Sequence, residues 1–179
     1  MLQKYNKWKV LKVFFENPIP KDAGFQLREI GRITSLATTS VKLYLNELIE
    51  EGLVVKKKHR IFAYPVYWAN MDSTEFKFLK KIDTIITIKE SGLIEHLENQ
   101  CMPDVIILFG SASKGEDTIE SDIDLFLLCK EKKLELEDFE NKIRRNISLF
   151  FSEDFSELSN ELKNNIINGV IMKGYLKVF

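Results

Sequence analysis

A short apolar run that leads directly into a glycine and a serine is the feature of this 179-residue chain that most constrains its fold. Val105 to Phe109 are consecutive apolar residues, three of them β-branched, and a run of this length and composition predicts a buried strand. Gly110 and Ser111 follow at the strand's end, where free backbone N–H groups can face a phosphate. We therefore expect a phosphate-binding loop after a buried strand.

Three known motifs compete for this loop. Gly110 and Gly115 have the spacing of a P-loop, but two acidic residues come after the second glycine, and two acids beside a triphosphate exclude that motif. Ser111 and Lys114 match the Ser-x-x-Lys of penicillin-binding enzymes, yet the chain has no Lys-Thr-Gly and is short for that fold. The third motif depends on the residues that come after the loop.

Those residues contain a pair of aspartates at strand spacing. Ser121 to Leu128 predict a second strand, in which Asp122 and Asp124 point to one face because side chains alternate along a strand. Two like charges side by side repel unless a cation lies between them, and oxygen-only ligation suits Mg²⁺. Ten residues separate Ser111 from Asp122, so the chain leaves the loop and returns with its carboxylates alongside.

This G-S-x10-D-x-D pattern resembles the nucleotidyltransferase superfamily related to DNA polymerase β, in particular its minimal nucleotidyltransferases. The matching residues are Gly110, Ser111, Gly115, Ser121, Asp122, Ile123, Asp124 and Leu125. The resemblance implies that Gly110 and Ser111 hold the phosphates of a nucleotide and that Lys114 supplies the family's basic residue. It implies that Asp122 and Asp124 are catalytic and bind Mg²⁺ or Mn²⁺, with an NTP, most readily ATP, as substrate.

The superfamily's third carboxylate, the base that deprotonates the attacking hydroxyl, has no match here. Residues 146–151 predict the corresponding strand, and Ser148 stands where the alternation would put the acid. A serine neither binds a metal strongly nor acts as a base near neutral pH. Glu153 and Asp154 lie nearby, but nothing in the spacing moves either into the site. The missing acid therefore affects catalysis more than binding of Mg²⁺ and nucleotide.

The first seventy residues show a different organisation. Apolar periodicity predicts helices over residues 4–15, 26–34 and 38–51, followed by a hairpin whose strands lie at 53–55 and 61–67 and whose tip is the basic run 56–60. Only a few residues separate the second and third helices, which is helix-turn-helix spacing.

Three helices followed by a basic hairpin resemble the winged helix-turn-helix family over residues 3–68. That resemblance favours DNA binding, with these residues entering the major groove or reaching phosphates and the minor groove: Thr38, Thr39, Lys42, Asn46, Lys56, Lys57, Lys58 and Arg60. Charge agrees, because residues 1–70 carry 12 Lys and Arg against 6 Asp and Glu, whereas residues 71–179 carry 14 against 21. The alternative is a protein-interaction module with solvated lysines.

The predicted fold class is mixed α and β (α/β, α+β). The chain is predicted to consist of three parts. Residues 1–70 form a winged helix-turn-helix domain, 71–101 a helical connector that opens on the capping box 72–75, and 102–179 a minimal nucleotidyltransferase domain with a mixed β-sheet flanked by helices. A tail helix over residues 155–167 ends at Gly169. Residues 169–175 are similar to the closing segment of archaeal chains that join these two domains.

Composition excludes several other classes. Apolar runs fall far short of the ~18 residues that a membrane span requires, and lysines at positions 4, 7 and 9 interrupt any signal-peptide core. Cys101 and Cys129 make neither a disulfide framework nor a zinc spacing, and buried thiols are expected. A cytoplasmic protein with no membrane partner is the expectation.

These features predict a Mg²⁺-dependent nucleotidyltransferase that moves an NMP from NTP to a hydroxyl, with a DNA-binding half. The resemblance extends to antitoxins that adenylylate a helical ribonuclease toxin, so the expected partners are double-stranded DNA, an NTP and a protein acceptor such as a helical toxin, with a homodimer as a further option. One alternative is a transcription regulator whose degenerate transferase domain only senses a nucleotide, which Ser148 favours. Another is a pure protein-interaction module.

Overall fold

The structure is a computed structural model, and it describes residues 5–18, 24–59 and 62–178. Within these residues it contains seven α-helices and two β-sheets, the mixed α and β content that the sequence predicts. The chain divides into two compact units, residues 1–80 and 81–179, each described separately below.

The first unit consists of three helices and a hairpin. Its elements are α1 (Asn6–Glu16), α2 (Leu27–Thr34), α3 (Thr38–Glu50), β1 (Val54–Lys58), β2 (Pro65–Ala69) and the first part of α4 (Thr74–Ser91). The two strands are antiparallel, and Phe25 forms a single bridge to Tyr67 on β2. The apolar faces of the helices meet in one core, in which Phe14, Ile30 and Leu45 are fully buried.

The three predicted helices are confirmed, but both hairpin strands lie later in the chain than predicted. Strand β1 spans Val54–Lys58 where the sequence predicts 53–55, and β2 spans Pro65–Ala69 where the sequence predicts 61–67. Lys56, Lys57 and Lys58 belong to β1 itself, paired with residues 65–67 of β2, rather than to the hairpin tip. A two-stranded ribbon exposes both edges, and charged residues are common along such edges. Residue 4 of the first predicted helix and Arg60 of the predicted tip lie outside the described residues.

Helix α4 begins one residue later than the predicted capping box requires. The helix starts at Thr74, and its first turn is capped by Ser73, whose Oγ accepts a hydrogen bond of 3.3 Å from the backbone N–H of Phe76. Asp72 is therefore outside the helix. The sequence therefore predicts the start of the helix to within one residue, but it predicts Asp72 as the capping residue, whereas Ser73 caps the helix.

The second unit is built on a four-stranded mixed sheet. After the rest of α4 come α5 (Leu93–Cys101), β3 (Val105–Phe109), β4 (Ile123–Leu128), α6 (Glu137–Ile143), β5 (Ile147–Ser152), α7 (Asn160–Ile167) and β6 (Val170–Gly174). The strand order is β5-β4-β3-β6, with β4 and β5 parallel and the other two pairs antiparallel. Short 3₁₀ turns lie at Ala112–Lys114 and Phe155–Glu157.

Strand β3 is buried along its whole length, as its apolar run predicts. Ile106 and Leu108 contribute to one apolar cluster, whereas Val105, Ile107 and Phe109 contribute to another, because alternate side chains leave opposite faces of the sheet. Both faces are therefore covered, and β3 holds β4 on one edge and β6 on the other.

Two elements of this unit have no counterpart in the sequence prediction. The side chains of α6 are half-buried or exposed, so the helix shows little apolar periodicity. Strand β6 has the same partly exposed character and ends at Gly174, whose φ of 79° interrupts an ordinary strand pattern. The predicted tail helix divides into the turn at Phe155–Glu157 and α7, which Ser159 caps by accepting from the N–H of Leu162.

Cys101 and Cys129 are free thiols and are half-buried rather than buried. Across the described ranges, no helix combines the length and apolar character that crossing a lipid bilayer demands.

Leu45 and Leu43 provide a matched test of the first unit's core. Leu45 is fully buried on α3, whereas Leu43, two residues earlier, is 57% exposed. Leu45→Ala should lower the free energy of unfolding by about 2 to 5 kcal/mol, since it removes buried methyl groups and leaves a cavity. Leu43→Ala should change it by no more than about 0.5 kcal/mol. Urea unfolding followed by circular dichroism measures both, and equal losses would contradict this placement of α3.

Candidate functional site

The candidate site begins where β3 ends, at Gly110, a position that has no room for a side chain. Gly110 has a φ of 70°, a conformation that favours glycine. A Cβ built on Gly110 would collide with Oδ2 of Asp124 on the neighbouring strand β4. Glycine at position 110 therefore lets the loop backbone approach the carboxylate closely.

The loop after Gly110 is a compact 3₁₀ turn that is tied by its own hydrogen bonds. The Oγ of Ser113 donates to the carbonyl of Gly110 at 2.8 Å, and the carbonyl of Ser111 accepts from the N–H groups of Lys114 and Glu116, both at 3.1 Å. The chain turns away at Gly115, with a φ of 71°. The Lys114 side chain is exposed, so an ammonium group is available beside the loop.

Asp124 lies next to this loop, and Asp122 precedes Asp124 by two residues. The backbone of β4 pairs Asp124 with Phe109, the last residue of β3. Asp122 lies just before β4, which begins at Ile123 rather than at Ser121 as predicted, because residues 118–121 form a turn closed by the N–H of Ser121 and the carbonyl of Thr118. Both side chains are half-buried.

Ser148 lies next to the two aspartates, as the alternation of side chains along the third predicted strand predicts. Its backbone is paired with Asp124 across the parallel strands β4 and β5. Its hydroxyl donates a hydrogen bond of 3.1 Å to Oδ2 of Asp122, while the side-chain N–H of Asn146 donates to Oδ1 at 3.3 Å. The structure thus places a serine hydroxyl directly against the carboxylate pair.

Burial and charge act together on Asp124. Burial raises the pKa of its carboxyl above the usual value, and the negative charge of Asp122 raises it further, while Arg145 partly offsets both effects. The charged form of Asp124 is therefore disfavoured in the folded chain on its own. A divalent cation between the two carboxylates would remove that repulsion.

The chemistry of these donors fits Mg²⁺ or Mn²⁺. Asp122 and Asp124 offer carboxylate oxygens, which are the ligands that both ions prefer. Within the described part of the chain, no group of three or more His, Cys, Asp or Glu residues is arranged to hold a metal. Two protein carboxylates suffice for an ion that usually keeps several waters and is shared with substrate phosphates.

Arg145 supports the site, and the sequence analysis did not identify it. Its side chain is 12% exposed and forms an ion pair of 2.8 Å with Asp117, which is 1% exposed. Its Nε donates to the carbonyl of Ser121 at 2.6 Å, next to Asp122. The only signal in the sequence is the position of Arg145 shortly before Ser148, since nothing in the linear pattern pairs it with Asp117.

A polar cleft of about 480 Å³ adjoins these residues. It is lined by residues of the turn before β4, of α6 and of the segment before β5, including Ser121, Glu140, Arg145 and Asn146. Glu140 also accepts a hydrogen bond of 2.9 Å from the N–H of Ile147, which fixes α6 against the start of β5. The cleft therefore extends to the residues just before β5, the strand that carries Ser148.

Glu153 and Asp154, the acids nearest to Ser148 in sequence, lie beyond the far end of β5. Asp154 caps the next turn by accepting from the N–H of Ser156 at 2.7 Å, and this bond lowers the pKa of its carboxyl. Neither residue is brought to the aspartate pair.

In the first unit, the residues predicted to enter a major groove share one exposed face of α3. They are Thr38, Thr39, Lys42 and Asn46. Val41, Leu45 and Leu48 are the buried residues of this helix. Near the C-terminal end of the helix, Lys7 forms ion pairs with Glu47, at 3.3 Å, and with Glu51, which offsets negative charge there.

The predicted phosphate-contacting lysines lie on both faces of the hairpin. Lys56, Lys57 and Lys58 are exposed, but alternation along β1 directs Lys57 to the opposite face from the other two. The Nζ of Lys57 lies 5.7 Å from the centre of the Trp68 ring, within the range of a cation–π contact. The position of Arg60 is not among those described.

Residues 91–176 match the model of the family described as "Polymerase beta, Nucleotidyltransferase". The matched segment contains Gly110, Asp122, Asp124 and Ser148 and lies within the second unit. No curated protein sequence matches the chain significantly. Residues 91–176 are therefore similar to a nucleotidyltransferase domain, and the match starts within the segment 71–101 that the sequence assigns to a connector.

Gly110 and Gly92 give a matched test of the close approach to Asp124. Both have a positive φ, but only at Gly110 does a Cβ meet another residue, whereas nothing lies within 4 Å at Gly92. Gly92→Ala should lower the free energy of unfolding by about 1 to 2 kcal/mol through backbone strain alone. Gly110→Ala should lower it further, because Asp124 must also move. Urea unfolding measures both, and an equal loss would mean that Asp124 does not press against position 110.

Proposed function

We propose that the second unit binds an NTP with Mg²⁺ and transfers its NMP to a hydroxyl, with release of pyrophosphate. The observation that carries this proposal is the convergence of Gly110, Asp122 and Asp124 within the segment that matches the nucleotidyltransferase family model. ATP is the favoured nucleotide, and Mn²⁺ is the alternative metal.

Each group has a distinct task in this proposal. The backbone after Gly110, with Ser111 and the exposed Lys114, binds the phosphates. Asp122 and Asp124 hold the metal, and Arg145 keeps the turn before Asp122 in place. When bound, Mg²⁺ neutralises the negative charge that develops on the phosphates.

A second candidate function is suggested by Ser148. Because its hydroxyl, and not a carboxylate, lies against Asp122, the site lacks the general base expected for fast transfer. A transcription regulator that senses a nucleotide through this domain would need only the binding groups. Pyrophosphate release in the presence of an acceptor separates the transferase from the sensor.

We further propose that the first unit is a winged helix that binds double-stranded DNA. Its support is the exposed polar face of α3 and the lysines of β1. The rings of His59, Phe62 and Tyr64 also stack on one another at the hairpin end, and Phe62 is 70% exposed. An exposed apolar ring beside lysines suits insertion into a minor groove.

The acceptor in this proposal is a hydroxyl on a protein, with a helical toxin as the specific hypothesis. A DNA-binding half in the same chain would allow the protein to regulate its own operon, and a homodimer would match a palindromic site. If the first unit binds no duplex DNA, a protein-interaction role takes its place.

The aspartate pair gives the direct test of nucleotide binding. Asp122→Asn combined with Asp124→Asn should abolish Mg²⁺-dependent ATP binding, because neutral amides cannot replace two carboxylate ligands. The variant should remain folded, because it removes the repulsion between two half-buried carboxylates that helps to raise the pKa of Asp124. Calorimetric titration of ATP with Mg²⁺ measures the binding.

Asp104 and Asp138 supply the control for this variant. Both are exposed and lie outside the site, so Asp104→Asn with Asp138→Asn makes the same change in charge. Unchanged ATP binding in the Asp122 and Asp124 variant would refute the proposed metal site. Loss of binding in both double variants would indicate a general charge effect instead.

The hairpin lysines test the DNA-binding proposal. Replacing Lys56 and Lys58 by Ala should weaken binding of duplex DNA across sequences and reduce the log–log salt slope by up to ~0.9 for each phosphate that the variant no longer neutralises. Lys57→Ala should have a smaller effect, because Lys57 points to the other face, toward Trp68. Lys9→Ala, at an exposed position on α1, is the control. Fluorescence anisotropy at several salt concentrations measures affinity and slope, and an unchanged slope in the Lys56 and Lys58 variant would remove the hairpin from the interface.

A further inference from the structure

We propose that the Ser148 hydroxyl is itself a nucleotidyl acceptor, so that the chain attaches an NMP to its own β5. This inference rests on the proposed function, because it uses the same nucleotide site. It adds a modification site and a substrate hydroxyl within the chain.

The geometry around Ser148 carries the inference. Its Oγ lies 3.1 Å from Oδ2 of Asp122, and its backbone is paired with Asp124. Asp124 in turn lies against Gly110, where the phosphate loop begins. A half-buried hydroxyl is thus placed beside the carboxylates that would hold the metal and near the loop that would hold the phosphates.

The hydrogen bond of Ser148 also has the direction that a nucleophile needs. Its O–H donates to a carboxylate oxygen, so a lone pair of Oγ remains available for attack. A hydroxyl fixed in the site needs no diffusional encounter, which is the advantage of an intramolecular acceptor.

The step balances without any oxidant or reductant. Oγ of Ser148 attacks the α-phosphorus of the NTP, and the Oγ–Pα bond forms as the bond from Pα to the oxygen bridging to the β-phosphorus breaks. The electron pair of that bond leaves with pyrophosphate. The hydroxyl proton is released to a solvent water. The product is a serine phosphodiester, and each chain can react only once.

The modification would also affect the site itself. A nucleotide attached to Ser148 occupies the space beside Asp122 and Asp124 and consumes the hydroxyl that bonds to Asp122. A second NTP could then not bind in the same way. The modified chain would therefore be blocked for transfer to any separate acceptor.

The experiment incubates the full-length purified chain with Mg²⁺ and ATP, followed by intact-mass and peptide mass spectrometry. The expected result is a mass gain of a single AMP, located on the peptide that contains Ser148. Ser148→Ala should abolish the gain and Ser148→Thr should retain part of it, since it keeps a hydroxyl. Ser152→Ala is the matched control on the same strand, because its Oγ is bonded to the carbonyl of Asp154, away from the site.

A second measurement does not depend on turnover. In Ser148→Cys, the rate of iodoacetamide alkylation at position 148 should fall when Mg²⁺ and α,β-methylene-ATP, which cannot transfer its nucleotide, are added. Peptide mapping separates this thiol from Cys101 and Cys129, which lie at the C-terminal ends of α5 and β4 and serve as internal references. Binding of the analogue without protection at position 148 would show that Ser148 does not adjoin the nucleotide, and would overturn the inference.

The outcomes separate this inference from the proposed function. If Mg²⁺ and ATP bind but no AMP is found on Ser148, or AMP is found on another residue, the inference is wrong and nucleotide binding stands. If the wild type does not bind Mg²⁺ and ATP at all, the proposed function itself is wrong. Ser148→Asp gives the converse test: it should end self-modification and raise transfer to a separate hydroxyl by ~10² to 10⁴-fold, because it supplies a general base.

Discussion

The buried ion pair between Asp117 and Arg145 is the interaction on which the geometry of the candidate site depends. It links the stretch that follows the loop 110–115 to the segment before β5, and Arg145 also donates to the carbonyl of Ser121. Removing one partner of a buried pair commonly costs ~3 to 5 kcal/mol, because the other charge is left in a medium of low polarity. One guanidinium group therefore holds the stretch 117–121, before β4, against the segment before β5.

In that arrangement, Asp122 and Asp124 repel each other when no cation lies between them. Asp124 is half-buried, close to Asp122 and pressed against the backbone at Gly110, and Arg145 offsets the repulsion only in part. A site that disfavours its own charge in isolation is one that gains from binding a cation. Gly110 lies against Asp124 and the hydroxyl of Ser148 lies against Asp122, and both groups are small enough to approach a carboxylate closely.

A serine instead of a third carboxylate has three consequences. It removes one negative charge, which eases repulsion around Asp122 and Asp124, and it removes the expected general base. It also introduces a hydroxyl at hydrogen-bonding distance from a carboxylate. The two proposed reactions, slow transfer to a separate hydroxyl and self-modification, differ in which acceptor would reach the α-phosphorus.

Local pattern alone was enough to identify most of the elements and the central groups of the site. Val105–Phe109 is a buried strand because a short, continuous apolar run can be covered on both faces, and strand alternation predicts the positions of Asp122, Asp124 and Ser148. The predicted mixed sheet is also confirmed. Helices α1 to α3 are predicted by apolar periodicity, which depends only on neighbours within a few turns.

Tertiary structure alone decided the features that depend on distant partners. The ion pair of Arg145 with Asp117, the edge strand β6 and the helix α6 leave little trace in the sequence, because their contacts come from residues far along the chain or from faces that stay exposed. Pairing with β2 likewise places all three lysines in a strand, so that Lys57 points to the opposite face of the hairpin from Lys56 and Lys58. Periodicity reports which face of an element is buried, whereas the identity of the group that it meets is determined only when the chain has folded.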